Sequence, residues 1–173
     1  KRKVSHIGPL LEVLSHVNLE KDGLTLFDYG CGFGYSMSLA RELGIKAFGV
    51  DIDEERLSVC RHLGLNVAGP MEFDKEFPEV KADIILLQSN IEHIIDLSGT
   101  MDYLKGKSKK GTVLYVNGLT PRIISIEKKR GQFVKAHFIE HINYFPVKTL
   151  DFFMGKYGYF PLRAVWHLSS GKI

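Results

Sequence analysis

The chain has 173 residues, 45% hydrophobic and 25% charged, a composition that suits one globular domain able to bury a core without disulfides or metals. A net charge of +3 spread along the chain disfavours nucleic acid as a partner, and no apolar run approaches the ~20 residues that would span a bilayer. Cys31 and Cys60 are the only cysteines and match no disulfide scaffold or zinc motif, so the reading is a reduced, cytoplasmic compartment.

The chain opens on Lys1 rather than Met and shows no long apolar leader, consistent with a trimmed chain or a piece of a longer protein. Residues 1–23 read as a leading segment, with Leu10, Leu11, Val13, Leu14 and Val17 at helical spacing predicting a helix over 9–17. The apolar run 24–29, stopped by Gly30, predicts a buried strand. Met37, Ala40 and Leu43 then recur at helical spacing over 35–43, with Gly44 as the stop.

The same rhythm repeats along the chain. A strand is predicted over 46–50, a helix over 53–63 with acids in its first turn, and a short strand over 66–68. An apolar strand over 82–87, a helix over 96–104 and a strand over 112–116 follow. Lys105, Lys107, Lys109 and Lys110 cluster beside glycines and read as a solvated loop. Strands alternating with helices in this way predict an α/β fold with a doubly wound, mostly parallel sheet and helices on both faces. The segment 119–145 is longer than a plain connector and is a candidate lid or substrate insertion. Pro146 then opens a helix that presents Leu150, Phe153, Met154 and Tyr157 on one side and stops at Gly158, and 159–168 reads as a sixth strand.

Asp28-Tyr29-Gly30-Cys31-Gly32-Phe33-Gly34 sets three glycines at alternate positions between a buried strand and the helix it feeds. Glycine lets a ligand approach the main chain, and the free N–H groups at a helix start favour an anionic group. A dinucleotide fingerprint would carry its third glycine five positions after the first, whereas Gly34 lies four after Gly30, which argues against a pyrophosphate ligand.

The run Leu26 to Gly34 resembles motif I of the class I S-adenosylmethionine-dependent methyltransferases, and the likeness extends from the leading helix to the sixth strand. The resemblance implies a Rossmann-like domain, an enzyme, and S-adenosylmethionine as cofactor. It implies that the loop backbone at Gly30, Cys31, Gly32 and Gly34 passes under the methionine part, with Cys31 a small loop filler. Asp28 would help hold the ammonium, and Asp51 would take both ribose hydroxyls, for which a carboxylate has two acceptor oxygens. Ile52 would cover one face of adenine, with Met71 or Glu72 on the other side. Pro70 stands where the family often has an acid. Gln88, just after the fourth strand, is a further cofactor contact at the edge where ligands bind in such sheets. The family's sheet also has a seventh strand, for which too few residues follow Leu168, so it reads as missing or truncated.

For the chemistry, methyl transfer from a sulfonium is a direct displacement, and a hydroxyl or phenol acceptor gains from a base near neutral pKa. Histidine is the natural candidate. Gln88-Ser89-Asn90-Ile91-Glu92-His93 resembles the family's segment after its fourth strand, which often carries a Glu-His pair. His137-Phe138-Ile139-Glu140-His141-Ile142-Asn143 is similar to a stretch in the subgroup related to the ubiquinone-biosynthesis O-methyltransferases. His93, His141 and His137 are therefore the catalytic candidates, against the alternative that Glu92–His93 and Glu140–His141 serve as structural pairs. His137 and His141 four apart with Glu140 suggest a metal, but the HExxH order is absent and no further ligand stands out, so no metal site is read.

Leu87-Gln88-Ser89-Asn90 replaces the Asn-Pro-Pro-Tyr tetrad of amino-methylating nucleic-acid enzymes, which points to a small-molecule acceptor, methylated on oxygen or carbon. Two alternatives stay open: an inactive S-adenosylmethionine-binding module serving a partner, and a nicotinamide-dinucleotide-binding domain.

Overall fold

The computed structural model describes residues 2–118 and 141–162. Helix α1 (Arg2–Leu14) leads into β1 (Thr25–Tyr29), α2 (Tyr35–Glu42), β2 (Lys46–Val50), α3 (Glu54–His62) and β3 (Asn66–Ala68). The short α4 (Phe73–Glu76), β4 (Ala82–Gln88), a 3₁₀ turn (Ile91–His93), α5 (Leu97–Lys107), β5 (Ser108–Asn117) and α6 (Val147–Gly155) follow. Among the described residues the strands form one parallel sheet in the order β3-β2-β1-β4-β5. The order reverses between β1 and β4, and their carboxyl ends border the crevice where open α/β sheets bind ligands.

Successive side chains of a strand point to opposite faces, so strands that are apolar throughout need cover on both. Leu26, Ile84 and Leu86 join a core with Leu10, Val13, Met37, Ala40, Leu57 and Cys60, from α1, α2 and α3. Their neighbours Phe27, Ile85 and Leu87 join another with Phe73, Met101, Leu104 and Met154, from α4, α5 and α6. The sheet is therefore sandwiched between two helical layers, as the alternation of elements predicts.

Several expectations need correction. Helix α1 starts at Arg2, so Pro9 lies inside it rather than at its start, and Val17 lies past its end. An interior proline costs a helix about 3 kcal/mol, which the complete burial of Leu10 and near-complete burial of Val13 against the sheet offsets. The lysine cluster is not a solvated loop: Lys105 and Lys107 close α5, and Lys109 and Lys110 belong to β5. Lys107 is buried, with Nζ 2.6 Å from Asp74 and set over the rings of Phe73 and Tyr103. Lys109 and Lys21 both pair with Asp83, at 2.8 and 2.6 Å. Pro146 caps α6 from the position before its first turn, and the predicted apolar side of that helix packs into the second core. Residues 159–162 are not strand; the rest of the expected sixth strand, the place of a seventh, and 119–140 of the candidate lid lie outside the described residues. No helix among the described residues is long and apolar enough to cross a membrane.

Candidate functional site

Tyr29, Val50 and Ala68 end β1, β2 and β3 in register, and Gln88 and Asn117 end β4 and β5 together, so the loops that follow share one edge. Asp51, Ile52, Met71, Gln88 and the Gly30–Gly34 run all lie at that edge, and Asp28 sits one residue inside β1. A shallow hollow of about 450 Å³ lies at the opposite edge, between Arg41, Lys46 and Asn66, away from every candidate residue.

The glycine loop is held by its neighbours. The amides of Gly30 and Cys31 donate to the Val50 carbonyl at 2.7 and 3.0 Å. Gly30 has φ 79°, and a Cβ there would fall on the Asn90 carboxamide, so this position admits only glycine. Gly32, at φ 55°, meets nothing within 4 Å of a Cβ, which leaves the loop open on the side a ligand would approach.

Asp51, 7% exposed, accepts the Gly32 amide on Oδ2 at 2.7 Å and the Asp53 amide on Oδ1 at 2.9 Å. Helix α3 is capped by Asp53, which accepts from the amides of Glu55 and Arg56, so capping does not account for Asp51. Two backbone bonds leave lone pairs on both Asp51 oxygens, the acceptors that a pair of donating ribose hydroxyls requires. Beside it Ile52 is 90% exposed and, beyond β3, Met71 is 78% exposed. These apolar side chains suit a flat heterocycle. Glu72 is exposed at the start of α4. Burial, with Asp51 nearby, pushes the Asp28 carboxyl up to about 7. An ammonium would neutralise that pair. These residues fit S-adenosylmethionine as the resemblance places it.

Cys31 and Cys60 both direct their sulfur at the Gly32 carbonyl. Burial pushes both thiols up, which removes the thiolate a nucleophile needs and leaves Cys31 a loop filler.

The catalytic candidates from two distant stretches meet. Residues 141–143 lie against the 3₁₀ turn: the amides of Ile142 and Asn143 donate to the Glu92 carbonyl, and Asn143 Nδ2 donates to the carbonyls of Ile91 and Ile94. The rings of His93 and His141 lie 4.7 Å apart, centroid to centroid. Glu92 is 5% exposed and joins them, with one donor atom from each of the three side chains within 4.8 Å of the others. His137 lies outside the described residues.

Asn90 was not singled out in the sequence, yet its Nδ2 donates to the carbonyls of Tyr29, at 2.6 Å, and Gly30, at 3.3 Å. It joins the acceptor-side turn to the glycine loop. Just before it Ser89 takes φ 52°, a left-handed conformation uncommon for a residue with a Cβ, while its amide donates to Asn117. A serine after a strand carries no sign of that conformation. A Cβ at Gly118 would lie 2.7 Å from Glu92 Oε2, so this glycine makes room for the carboxylate.

Comparison with known proteins bears on the family and the fold. A family model described as a methyltransferase domain matches residues 5–162. A ubiquinone biosynthesis O-methyltransferase of Paramagnetospirillum magneticum is 26% identical over 97 residues, which cover 53% of this chain and 39% of that protein. A crystal structure of an S-adenosylmethionine-dependent methyltransferase from Archaeoglobus fulgidus superposes with a TM-score of 0.68 at 22% identity, covering 91% of this chain and 69% of the other. Magnesium protoporphyrin IX methyltransferase from Synechocystis, solved with bound S-adenosylhomocysteine, gives 0.70 at 16% identity, covering 94% and 75%. With the family model spanning most of its length, the chain belongs to the methyltransferase domain family, in the class I S-adenosylmethionine-dependent group.

Proposed function

We propose that this chain binds S-adenosylmethionine across the β1–α2 loop and passes its methyl group to a small-molecule acceptor, on oxygen or carbon. The observation that carries the reading is Asp51: buried, oriented by the Gly32 and Asp53 amides, and left with acceptor capacity beside the exposed Ile52. Bound there, the cofactor supplies an electrophilic methyl on a sulfonium. The protein's own part is positional. Asp51 orients the ribose, Ile52 and Met71 hold adenine, the open side of Gly32 admits the methionine chain, and Asp28 faces its ammonium. Gln88 ends β4 at the same edge.

On the acceptor side His93 and His141 stand together, held to the glycine loop through Asn90, and either imidazole is suited to take a hydroxyl proton as the methyl arrives. An oxygen acceptor is favoured by the relative from Paramagnetospirillum, which is an O-methyltransferase. Calorimetric titration with S-adenosylmethionine tests the first half, followed by a screen of phenolic and sugar acceptors for S-adenosylhomocysteine formation. No binding would remove the proposal. Binding without turnover on any acceptor would favour an inactive cofactor module.

A further inference from the structure

Two stretches of sequence 48 residues apart, Glu92-His93 and His141, bring two imidazoles and a carboxylate to one place. Two features set this trio apart from an ordinary histidine pair. Glu92 Oε2 is buried, and among the described residues no hydrogen-bond partner reaches it. Native structures rarely leave a buried polar atom in that condition, and a carboxylate oxygen least of all. The backbone carrying the trio is also fixed, because the Glu92 carbonyl accepts the amides of Ile142 and Asn143 while Asn143 Nδ2 spans the carbonyls of Ile91 and Ile94. Gly118, whose missing Cβ leaves space against Glu92 Oε2, completes the enclosure.

We propose that Glu92, His93 and His141 are the three protein ligands of a divalent transition-metal ion of the zinc type. Two imidazole nitrogens and one carboxylate oxygen are a common ligand set for such an ion, and they leave a tetrahedral centre one position for an oxygen donor of the acceptor, whose proton loss the ion would then favour in place of a free imidazole. Zinc bound at about 2.1 Å holds its ligands roughly 3.4 Å apart. Donors already within 4.8 Å of one another reach that spacing by side-chain rotation on the fixed backbone. The sequence does not announce the site, since Glu92-His93 and His141 lie 48 residues apart and residues 137–141 lack the HExxH order. The fold supplies it from the turn after β4. Metal binding as such is independent of the methyl-transfer reading; the use of the open position for an acceptor rests on it.

The test uses the untagged full chain, stripped with a chelator and desalted. Zinc uptake is measured by competition with a chelating dye, and cobalt uptake by its visible absorption. The expected result is one ion per chain, with affinity lowered about tenfold or more in Glu92→Gln and in His93→Ala. His62→Ala, altered on the exposed end of α3, should leave it unchanged. Circular dichroism and S-adenosylhomocysteine titration of the metal-free proteins accompany each measurement. Absence of saturable uptake by the wild type, or equal affinity in all variants, would overturn the proposal and leave the trio a structural contact. Metal uptake without S-adenosylhomocysteine binding would count against the cofactor reading alone, and the reverse against the metal alone.

Discussion

Asp28 gives the strongest quantitative expectation. In the unfolded chain its carboxyl titrates near the usual 3.8, whereas in the folded protein burial and the neighbouring Asp51 raise it to about 7. Between those values the folded state keeps a proton that the unfolded state has lost, so stability falls as pH rises through that window and levels off above 7. From pH 5 to pH 8 the loss amounts to ~2–3 kcal/mol at 1.36 kcal/mol per unit. The interval is clean of the other perturbed carboxylates: Asp74 and Asp83 are held below their ordinary values, so their contribution is lost only on going to more acid solution. Asp74 takes its shift chiefly from the hydrogen bond of Lys107, and Asp83 from Lys109 and Lys21 against the opposing cost of burial. Urea denaturation of wild type and Asp28→Asn at pH 5 and pH 8 isolates the effect, since the histidines are common to both. The variant should lack the decline. Parallel pH dependence in the two proteins would refute the reasoning, because it would mean that Asp28 is ionised throughout.

If Asp28 meets the cofactor ammonium as proposed, binding is proton-linked: at pH 7, titration with S-adenosylhomocysteine in buffers of different ionisation enthalpy should show release of roughly half a proton, absent in Asp28→Asn. Asp51→Ala should weaken binding by ~2 kcal/mol, about thirtyfold by calorimetry, since charge-assisted hydrogen bonds are lost; unchanged affinity with an intact fold would remove Asp51 from the site. Gly32→Val should abolish binding with the helical dichroism retained, the strain lying in its positive φ rather than in crowding. Retained affinity would show that the loop is only a turn. His141→Ala should lower turnover more than cofactor affinity, and normal turnover would exclude it from the acceptor site.

Strand β2 and strand β3 run where apolar pattern and flanking glycines put them, because a strand buried on both faces carries its own signature. The start of α1 was illegible, because proline at a first helical turn and proline inside a packed helix look alike until the burial of Leu10 is known. The last turn of α5 was missed for a related reason: Lys107 reads as a surface residue, and only the placement of Asp74, Phe73 and Tyr103 explains its burial. In the candidate site, the places of the glycine loop and Asp51 at one sheet edge were legible because strand ends and local spacing fix them. The meeting of Glu92 with His141, and the reach of Asn90 to Gly30, depend on segments about 50 and 60 residues apart, which no periodicity records.

Asn90 has a consequence for how two ligands would share this protein. Its carboxamide bolts the turn that carries His93 to the backbone of the cofactor loop, so the two loops are ordered together. On the proposed function, whichever ligand arrived first would stiffen the frame for the second, and the entropy of ordering it would not have to be met twice. Binding at the two places would then be heterotropic, with the factor by which cofactor strengthens acceptor equal to the factor by which acceptor strengthens cofactor.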